Sequence, residues 1–292
     1  MASGEIIFIQ GESKGRFPDA NSLFVDDEIP AVIDPATKVN FLQDLARRKN
    51  VEIVFNSHYH VDHIRYNKIF EGALFAAHSL DAPAIESLEE NARFVGIESM
   101  PWFPQWKKVM RDVWGYRETK VGRLLKDMDE INLGQNTLRI IHAPGHTPGH
   151  ICIEFIEQQA VYLADVDLTS FGPWYGNVRS SVDEFLGTIE RLKNVRAETW
   201  YTGHESGVLK GDIRGRLEKY AEVIRSREEA ILNALDSPKT LKEISNLLII
   251  YKKPFDQPMI LEFFEGMMVS KHLERLKRAG MVKEVDGRWV RV

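Results

Sequence analysis

The stretch that decides the fold reads His58-Tyr59-His60-Val61-Asp62-His63. It follows Val51–Phe55, an apolar run typical of a buried strand. Three histidines and an aspartate crowded into six residues lose solvation unless something binds them. Imidazole nitrogen and carboxylate oxygen form a zinc-type ligand set, which iron and manganese also accept. In a bent loop, His58 and His60 project to one side, while Asp62 and His63 can turn towards a second ion.

Three further ligand-type residues follow predicted strands. His146 lies in the segment Ala143–His150, between two Pro-Gly turns that fix its backbone and aim its side chain. Asp165 closes an apolar strand, and His204 ends another short strand. Because α/β proteins place their sites where the carboxyl ends of strands meet, we expect these side chains to converge with the histidine-rich stretch at one sheet edge.

These four motifs, in this order, resemble those of the metallo-β-lactamase-fold hydrolase superfamily, over roughly residues 5–207. The resemblance implies an αββα sandwich with two metal ions at one edge. The implied ligands of the first metal are His58, His60 and His146, those of the second are Asp62, His63 and His204, and the bridging ligand is Asp165. There is no cysteine near Asp165, so the cysteine ligand of the antibiotic-degrading members is missing. We therefore expect no true β-lactamase activity.

The implied ligand set predicts hydrolytic chemistry. The expected cofactor is a pair of divalent ions, with zinc as the first candidate and iron or manganese as alternatives. Two such ions about 3.5–4 Å apart can share a hydroxide, which is then available as a nucleophile at neutral pH. One ion would polarise the scissile carbonyl or phosphoryl oxygen, and the other would stabilise the leaving atom. Asp62 is both ligand and carboxylate, so it is the predicted catalytic residue that orients the hydroxide and carries its proton.

Three functions compete as predictions. The segment Pro144–Ile151 resembles its counterpart in hydroxyacylglutathione hydrolases (glyoxalase II), which favours a hydrolase of a small thioester, ester or lactone. Residues 210–292 do not resemble the glutathione-contacting part of that family, so glutathione specificity is not expected. A third, non-hydrolytic possibility is an iron-dependent persulfide dioxygenase or a DNA-binding regulator, and the full ligand set argues against both.

The second of the three functions is an endoribonuclease-type phosphodiesterase. The C-terminal part resembles the winged helix of the lactamase-beta-2-like branch, which includes an endoribonuclease. The basic residues available for RNA are Lys271, Arg275, Lys277 and Arg278. Acidic residues share the same helix, so docking on the catalytic domain or a homodimer contact is the alternative use of this segment.

Aromatic residues suggest where a substrate could lie. Residues 83–130 form a predicted helical insertion rich in aromatic and methionine side chains, either a local core or a wall over the site. Trp174 and Tyr175 follow the predicted bridging aspartate closely. They are candidate substrate-binding residues, and the tyrosine hydroxyl could stabilise a developing oxyanion.

The remaining candidates receive structural interpretations. His150 is predicted to hold a backbone group or a ligand, and Asp167 is either the alternative to Asp165 or a residue that fixes a ligand histidine. His78, His142 and a solvated His272 are expected to be ordinary histidines, and Cys152 an inert buried thiol.

Length and charge predict two domains. The chain has 292 residues, of which 43% are hydrophobic and 28% charged, enough for a sizeable core. The charge balance is −9 over residues 1–209 and +4 over residues 210–292. We place the catalytic domain at residues 1–210, and at residues 211–292 a long helix followed by a winged helix, whose ribbon turns at Asp286-Gly287.

The sequence also indicates where in the cell the protein is expected. The first residues carry no basic region ahead of an apolar stretch, and no apolar run approaches the roughly 20 residues that span a bilayer. We therefore expect a cytoplasmic protein with a small-molecule substrate and no membrane partner.

Overall fold

The computed structural model describes residues 4–254 and 258–292. Two six-stranded sheets dominate it. The first runs in chain order and consists of β1 (Glu5–Ile9), β2 (Ser22–Asp26), β3 (Ala31–Ile33), β4 (Ile53–Asn56), β5 (Leu74–His78) and β6 (Arg123–Leu125). Its first three strands are antiparallel, and β3 to β6 are parallel.

The second sheet runs in reverse chain order from edge to edge. It consists of β7 (Glu130–Asn132), β8 (Thr137–His142), β9 (Ile151–Phe155), β10 (Ala160–Tyr162), β11 (Thr199–Tyr201) and β12 (Val208–Lys210). All neighbours are antiparallel except β10 and β11. That parallel step brings the loops after these two strands to the same edge.

Helices fill the connections. They are α1 (Val39–Arg48), α2 (Val61–Ile64), α3 (Ala82–Glu86), α4 (Leu88–Val95), α5 (Phe103–Asp112), α6 (Val182–Leu192), α7 (Arg214–Ala234), α8 (Leu241–Ser245) and α9 (Pro258–Arg278). The chain ends in the hairpin of β13 (Val282–Val285) and β14 (Arg288–Arg291). Within the described ranges, none of these helices is both long and apolar enough to cross a membrane.

The two sheets pack face to face because their strands alternate apolar side chains on both faces. In β2, Leu23 and Val25 face the other sheet, whereas Phe24 faces α1. On the far side, α6 and α7 cover the second sheet through a core that includes Phe185 and Leu217. Helices thus cover both outer faces, and the predicted two-sheet α/β architecture is confirmed.

The insertion over residues 83–130 builds a core of its own. Phe94, Met110 and Tyr116 are buried in it together with Tyr59 from the histidine-rich stretch. The insertion is not purely helical as predicted, because it also contributes β6, which extends the parallel part of the first sheet. The interpretation as a local core is therefore supported, and the same core supports the loop that carries His58 and His60.

The C-terminal segment packs on the second sheet. Helices α7 and α9 share one apolar core with α6, to which Ile224, Met268 and Leu273 contribute. The predicted hairpin is present, and Asp286 and Gly287 at its turn both have positive φ, as a two-residue type I′ turn requires. The predicted helix over residues 241–249 ends early at Ser245. The winged-helix assignment and the domain boundary near residue 210 stay predictions.

Candidate metal centre

The histidine-rich stretch begins where β4 ends. His58 is separated from the strand by Ser57 alone, and His60 precedes the short helix α2, which carries Asp62 and His63. His58 and His63 are fully buried, and Asp62 is 7% exposed. The turn reverses the chain, so the first two histidines and the last two ligand candidates face different places, as the sequence predicted.

Four side chains form the first group. Ligand-type atoms of His58, His60, His146 and Asp165 lie within 4.8 Å of one another. His146 Nε2 lies 3.2 Å from His58 Nε2 and 2.8 Å from His60 Nδ1. Burial lowers the pKa of His58 and His60 well below the ordinary histidine value, and the surrounding imidazoles lower it further. Both rings are therefore neutral at pH 7 and can offer a lone pair.

Three side chains form the second group. Ligand-type atoms of Asp62, His63 and His204 also lie within 4.8 Å of one another. His204 Nε2 lies 3.2 Å from His63 Nε2 and 3.6 Å from Asp62 Oδ2. Gly203 makes this approach possible, because a Cβ there would lie 2.9 Å from Cε1 of His63.

Asp165 stands between the two groups, and each of its oxygens faces one of them. Oδ2 lies 3.1 Å from His146 Nε2 and 3.9 Å from His58 Nε2. Oδ1 lies 2.8 Å from His63 Nε2 and 3.4 Å from His204 Nε2. One carboxylate can therefore contact an ion in each group.

Asp167, the alternative to Asp165, belongs to neither group. Its carboxylate accepts hydrogen bonds from the Tyr220 hydroxyl at 3.0 Å and from the Thr169 backbone N–H. His150 holds Asp165 instead, since its Nε2 accepts a hydrogen bond from the backbone N–H of Asp165 at 3.1 Å. That contact agrees with the structural interpretation of His150.

The imidazoles are oriented by partners on their outer nitrogens. Nδ1 of His146 donates to the Trp174 carbonyl at 2.9 Å, and Nδ1 of His204 donates to the Gly15 carbonyl. A neutral imidazole has one N–H, so a ring that donates from Nδ1 carries its lone pair on Nε2. In both cases that lone pair points into the site.

Asp34, which is not among the residues predicted from the sequence, orients two more histidines, His63 directly and His58 through Ser57. Its buried carboxylate accepts hydrogen bonds from His63 Nδ1 at 2.7 Å and from the Ser57 hydroxyl at 2.6 Å. That hydroxyl, having given its proton to Asp34, accepts from His58 Nδ1 at 2.9 Å. The only available signal was a carboxylate at a strand end, the same signal that identified Asp165.

Asn177 was also missed. Its buried side-chain amide contacts the Tyr59 hydroxyl at 2.7 Å and Nε2 of His60. It therefore holds the ring of His60 so that Nδ1 faces His146. Nothing in the spacing of Asn177 pointed to this role.

The donor set fits a pair of cations. Lone pairs of neutral imidazoles and oxygens of carboxylates face one another, and among the described residues Oδ1 of Asp165 is buried without a hydrogen-bond partner. Burial alone would lower the pKa of His63, but Asp165 and Asp34 raise it well above its usual value. The second group thus attracts positive charge, which a divalent ion supplies in place of a proton.

Asp81 fixes the turn that carries His146. Its buried carboxylate accepts hydrogen bonds from the Thr147 hydroxyl at 2.5 Å and from the Gly149 N–H at 2.7 Å. A Cβ on Gly149 would lie 2.7 Å from the Asp81 backbone nitrogen, so glycine is required there. Burial raises the pKa of Asp81 to about 7, although these hydrogen bonds lower it.

This burial predicts a pH dependence of stability. Between the unfolded pKa of 3.8 and the folded pKa of about 7, the folded chain holds a proton that the unfolded chain has lost. The free energy of unfolding therefore falls as pH rises through this range, by up to about 1.4 kcal/mol per pH unit. Asp81→Asn stays neutral and should lack this contribution. The contribution of Asp81 is measured by denaturant unfolding of metal-free wild type and variant at about pH 5 and pH 7. If the free energy of unfolding changes with pH equally in both proteins, the prediction is contradicted.

The two substrate-binding candidates differ in placement. The Trp174 ring lies 5.4 Å from the His60 ring and 5.6 Å from the His146 ring, beside the first group. The Tyr175 hydroxyl is buried and contacts His272 Nε2 at 2.7 Å, so the structure does not bring it to the ligand groups.

The remaining histidines and the cysteine lie outside both groups. His272 lies on α9 and is fully buried against α7, so the expectation of a solvated side chain is wrong. His78 and His142 stack at 4.2 Å. The prediction of a buried Cys152 is confirmed, and burial raises the pKa of its thiol, which keeps it protonated.

The basic residues proposed for RNA are engaged within the chain. Arg275 pairs with Asp183 and Glu228, and Arg278 pairs with Asp183. Lys277 lies 3.5 Å from Glu284, and the Lys271 ammonium donates to the Val178 carbonyl. Two of these contacts join α9 to α6, which agrees with docking of the segment on the catalytic part.

Comparison with known proteins identifies the family. The model of the metallo-beta-lactamase superfamily matches residues 15–204, which include every residue of the two groups. The chain belongs to the metallo-beta-lactamase superfamily. It is a member of a family of hydrolases, and its His/Asp residues are positioned for metal binding.

Several curated relatives act on thioesters by name. The human acyl-coenzyme A thioesterase MBLAC2 is 28% identical over 161 residues, covering 51% of this chain and 52% of the relative. An atrochrysone carboxyl ACP thioesterase of Claviceps purpurea is 31% identical over 167 residues, covering 53% and 51%. A hydroxyacylglutathione hydrolase of Methylococcus capsulatus is 25% identical over 204 residues, covering 69% and 67%. The match to each of the two thioesterases spans about half of its length.

Solved structures share the fold over nearly the whole chain. A metallo-beta-lactamase family protein from Thermus thermophilus superposes with a TM-score of 0.73 at 22% identity, covering 98% of both chains. A beta-lactamase domain protein from Burkholderia ambifaria gives 0.70 at 16% identity, covering 94% of this chain and 87% of that one. The arrangement of the C-terminal segment against the sheets therefore recurs in other proteins.

Proposed function

We propose that this protein is a dinuclear metal-dependent hydrolase of thioesters. The observation that carries the proposal is the position of Asp165, whose two oxygens face two separate groups of ligand atoms. Two ions that share one carboxylate ligand would account for this placement. Zinc is the first candidate because the donors are imidazole nitrogens and carboxylate oxygens, and iron and manganese remain alternatives.

The residues of the chain have separate parts in the reaction. When bound, the two ions lower the pKa of water to about 7 and polarise the substrate carbonyl. His58, His60 and His146 would hold one ion, with Asp62, His63 and His204 holding the other and Asp165 contacting both. Asp62 lies in the second group with 7% of its surface exposed, which suits a carboxylate that holds the nucleophile and takes up its proton.

Two observations support a thioester among the three substrate classes considered. Relatives that match half or more of this chain include thioesterases for coenzyme A and acyl carrier protein. In addition, the wall next to the first group is aromatic. Trp174 packs edge-on against Phe264 at 5.3 Å, and Trp102 packs against Phe263 at 5.8 Å. Such a wall suits an apolar acyl group, whose burial from water favours binding.

A substrate panel tests the proposal. Zinc-loaded protein is assayed with acyl-coenzyme A thioesters, a glutathione thioester, a lactone, a phosphodiester and RNA, with Asp62→Ala as the matched control for contaminating activity. We expect thioester turnover that the variant lacks. Cleavage of RNA or phosphodiester alone would overturn the proposal in favour of the nuclease. Sulfite release from a persulfide with iron-loaded protein would overturn it in favour of the dioxygenase.

A further inference from the structure

A buried cation outside the ligand groups joins the C-terminal segment to the loop between β10 and α6. Arg227 on α7 is 4% exposed. Its guanidinium donates to the carbonyls of Phe171 and Pro173, each at 2.6 Å, and to the hydroxyl of Tyr175 at 2.9 Å. It also lies over the Phe171 ring at 4.9 Å. One side chain thus holds the backbone just before Trp174 and the side chain of the residue that follows it.

Trp174 lies in this loop and contacts the first group through His146, as Asn177 does through His60. Its carbonyl accepts the Nδ1 proton of His146 at 2.9 Å, and its ring lies beside those of His146 and His60. A shift of this carbonyl would turn the His146 ring or leave its Nδ1 proton without a partner. The position of the loop therefore determines where Nε2 of His146 points.

The C-terminal segment holds Trp174 a second time. The indole N–H donates to the Tyr251 hydroxyl at 2.9 Å. The backbone of Tyr251 is held in place by the buried carboxylate of Glu265 on α9, which accepts its N–H at 3.0 Å. Arg227 on α7 and Glu265 on α9, the latter through Tyr251, therefore both hold this loop.

We propose that Arg227 is a positioning residue that sets the metal affinity of the first group through Trp174 and His146. The inference rests on the proposed function, because it requires that this group binds an ion. The C-terminal segment is then a structural part of the metal centre rather than an appended module. The residue type fits the role, since a planar guanidinium with five N–H donors satisfies three acceptors at once and an ammonium on a flexible stem does not hold that geometry.

The effect is selective for one group. The outer nitrogens of the second group are held elsewhere, that of His63 by Asp34 and that of His204 by the Gly15 carbonyl. Neither partner touches Arg227 in the contacts of the described residues. Loss of the guanidinium should therefore weaken binding of one ion and leave the other unchanged.

Zinc titration of metal-free protein against a chromophoric chelator tests this. We compare wild type with Arg227→Met and with Arg225→Met, an exposed arginine two residues earlier on α7 that pairs with Glu218 and Glu222. We expect Arg227→Met to lower the affinity for one of the two zinc ions by about 10- to 100-fold, which is typical when a hydrogen-bond partner that orients a metal ligand is lost. Arg225→Met should keep both affinities, and thermal unfolding of the metal-free proteins reports on folding.

The outcomes are distinguishable. Wild type that binds fewer than two ions contradicts the dinuclear proposal itself, whatever Arg227 does. If wild type binds two ions and Arg227→Met binds both with affinities within twofold of wild type, the inference is overturned. An equal loss of affinity at both ions would also overturn it. Should Arg227→Met fail to fold, Tyr175→Phe removes one acceptor of the guanidinium while keeping the ring. It should give a smaller loss at the same ion, and unchanged binding would overturn the inference.

Discussion

Replacing Asp62 by alanine should reduce turnover by at least about 10²- to 10⁴-fold, the contribution typical of a positioned acid or base. The carboxylate lies in the second group, with Oδ2 3.6 Å from His204 Nε2, and belongs to the short helix α2 that also carries His63. Asp165 also faces that group but is assigned to both ions, so Asp62 is the carboxylate proposed to hold the nucleophile there and accept its proton. The substitution removes both the ligand and the base.

The measurement is kcat with a thioester substrate at matched zinc content. Asp62→Asn serves as the companion variant, since it keeps the shape of the side chain and a ligand oxygen but cannot take up a proton at neutral pH. We expect both variants to be inactive even when Asp62→Asn is fully loaded with metal. A variant with full metal content and the wild-type rate would refute the assignment of Asp62.

Asp34→Ala should have the largest effect on stability. The Asp34 carboxylate is fully buried and accepts hydrogen bonds from His63, Ser57 and Tyr162. Removing one partner of such a buried set leaves donors unpaired, and we expect a loss of about 3–5 kcal/mol in the free energy of unfolding. His63 would also lose the partner of Nδ1, so binding of the second metal should weaken by about 10- to 100-fold.

Denaturant unfolding and zinc titration together check this prediction. The control is Asp44→Ala, which removes an exposed carboxylate that pairs with Arg47 and Arg48 on α1 and should change stability by less than about 0.5 kcal/mol. An Asp34→Ala protein as stable as this control, with both zinc affinities intact, would show that the buried network has no such role.

The seven ligand candidates could be found from the sequence because each is marked locally. A histidine or aspartate directly after an apolar strand is visible in one dimension, and the carboxyl ends of neighbouring strands lie close in space. The apolar run Ile151–Phe155 and the amphipathic spacing of Val39–Arg48 coincide with the bounds of β9 and α1. Those elements carry strong periodic patterns.

The supporting residues could not be found in the same way. Asn177 and Arg227 act through contacts with residues more than 50 positions away, which no local pattern encodes. His272 was expected in solvent because it lies in the C-terminal helix, far from the motifs, yet α9 is covered by α7 and the residue is buried. Strands β6 and β12 have only three residues each, too few for a period to show.

Metal stoichiometry measured together with turnover tests the central claim most directly. Metal-free protein receives zinc in steps, and bound metal per chain and thioester hydrolysis are recorded on the same samples. The arrangement of two ligand groups around Asp165 predicts saturation at two ions per chain, with full activity only when both are bound. Saturation at less than about one ion per chain, without turnover of any thioester, would contradict it.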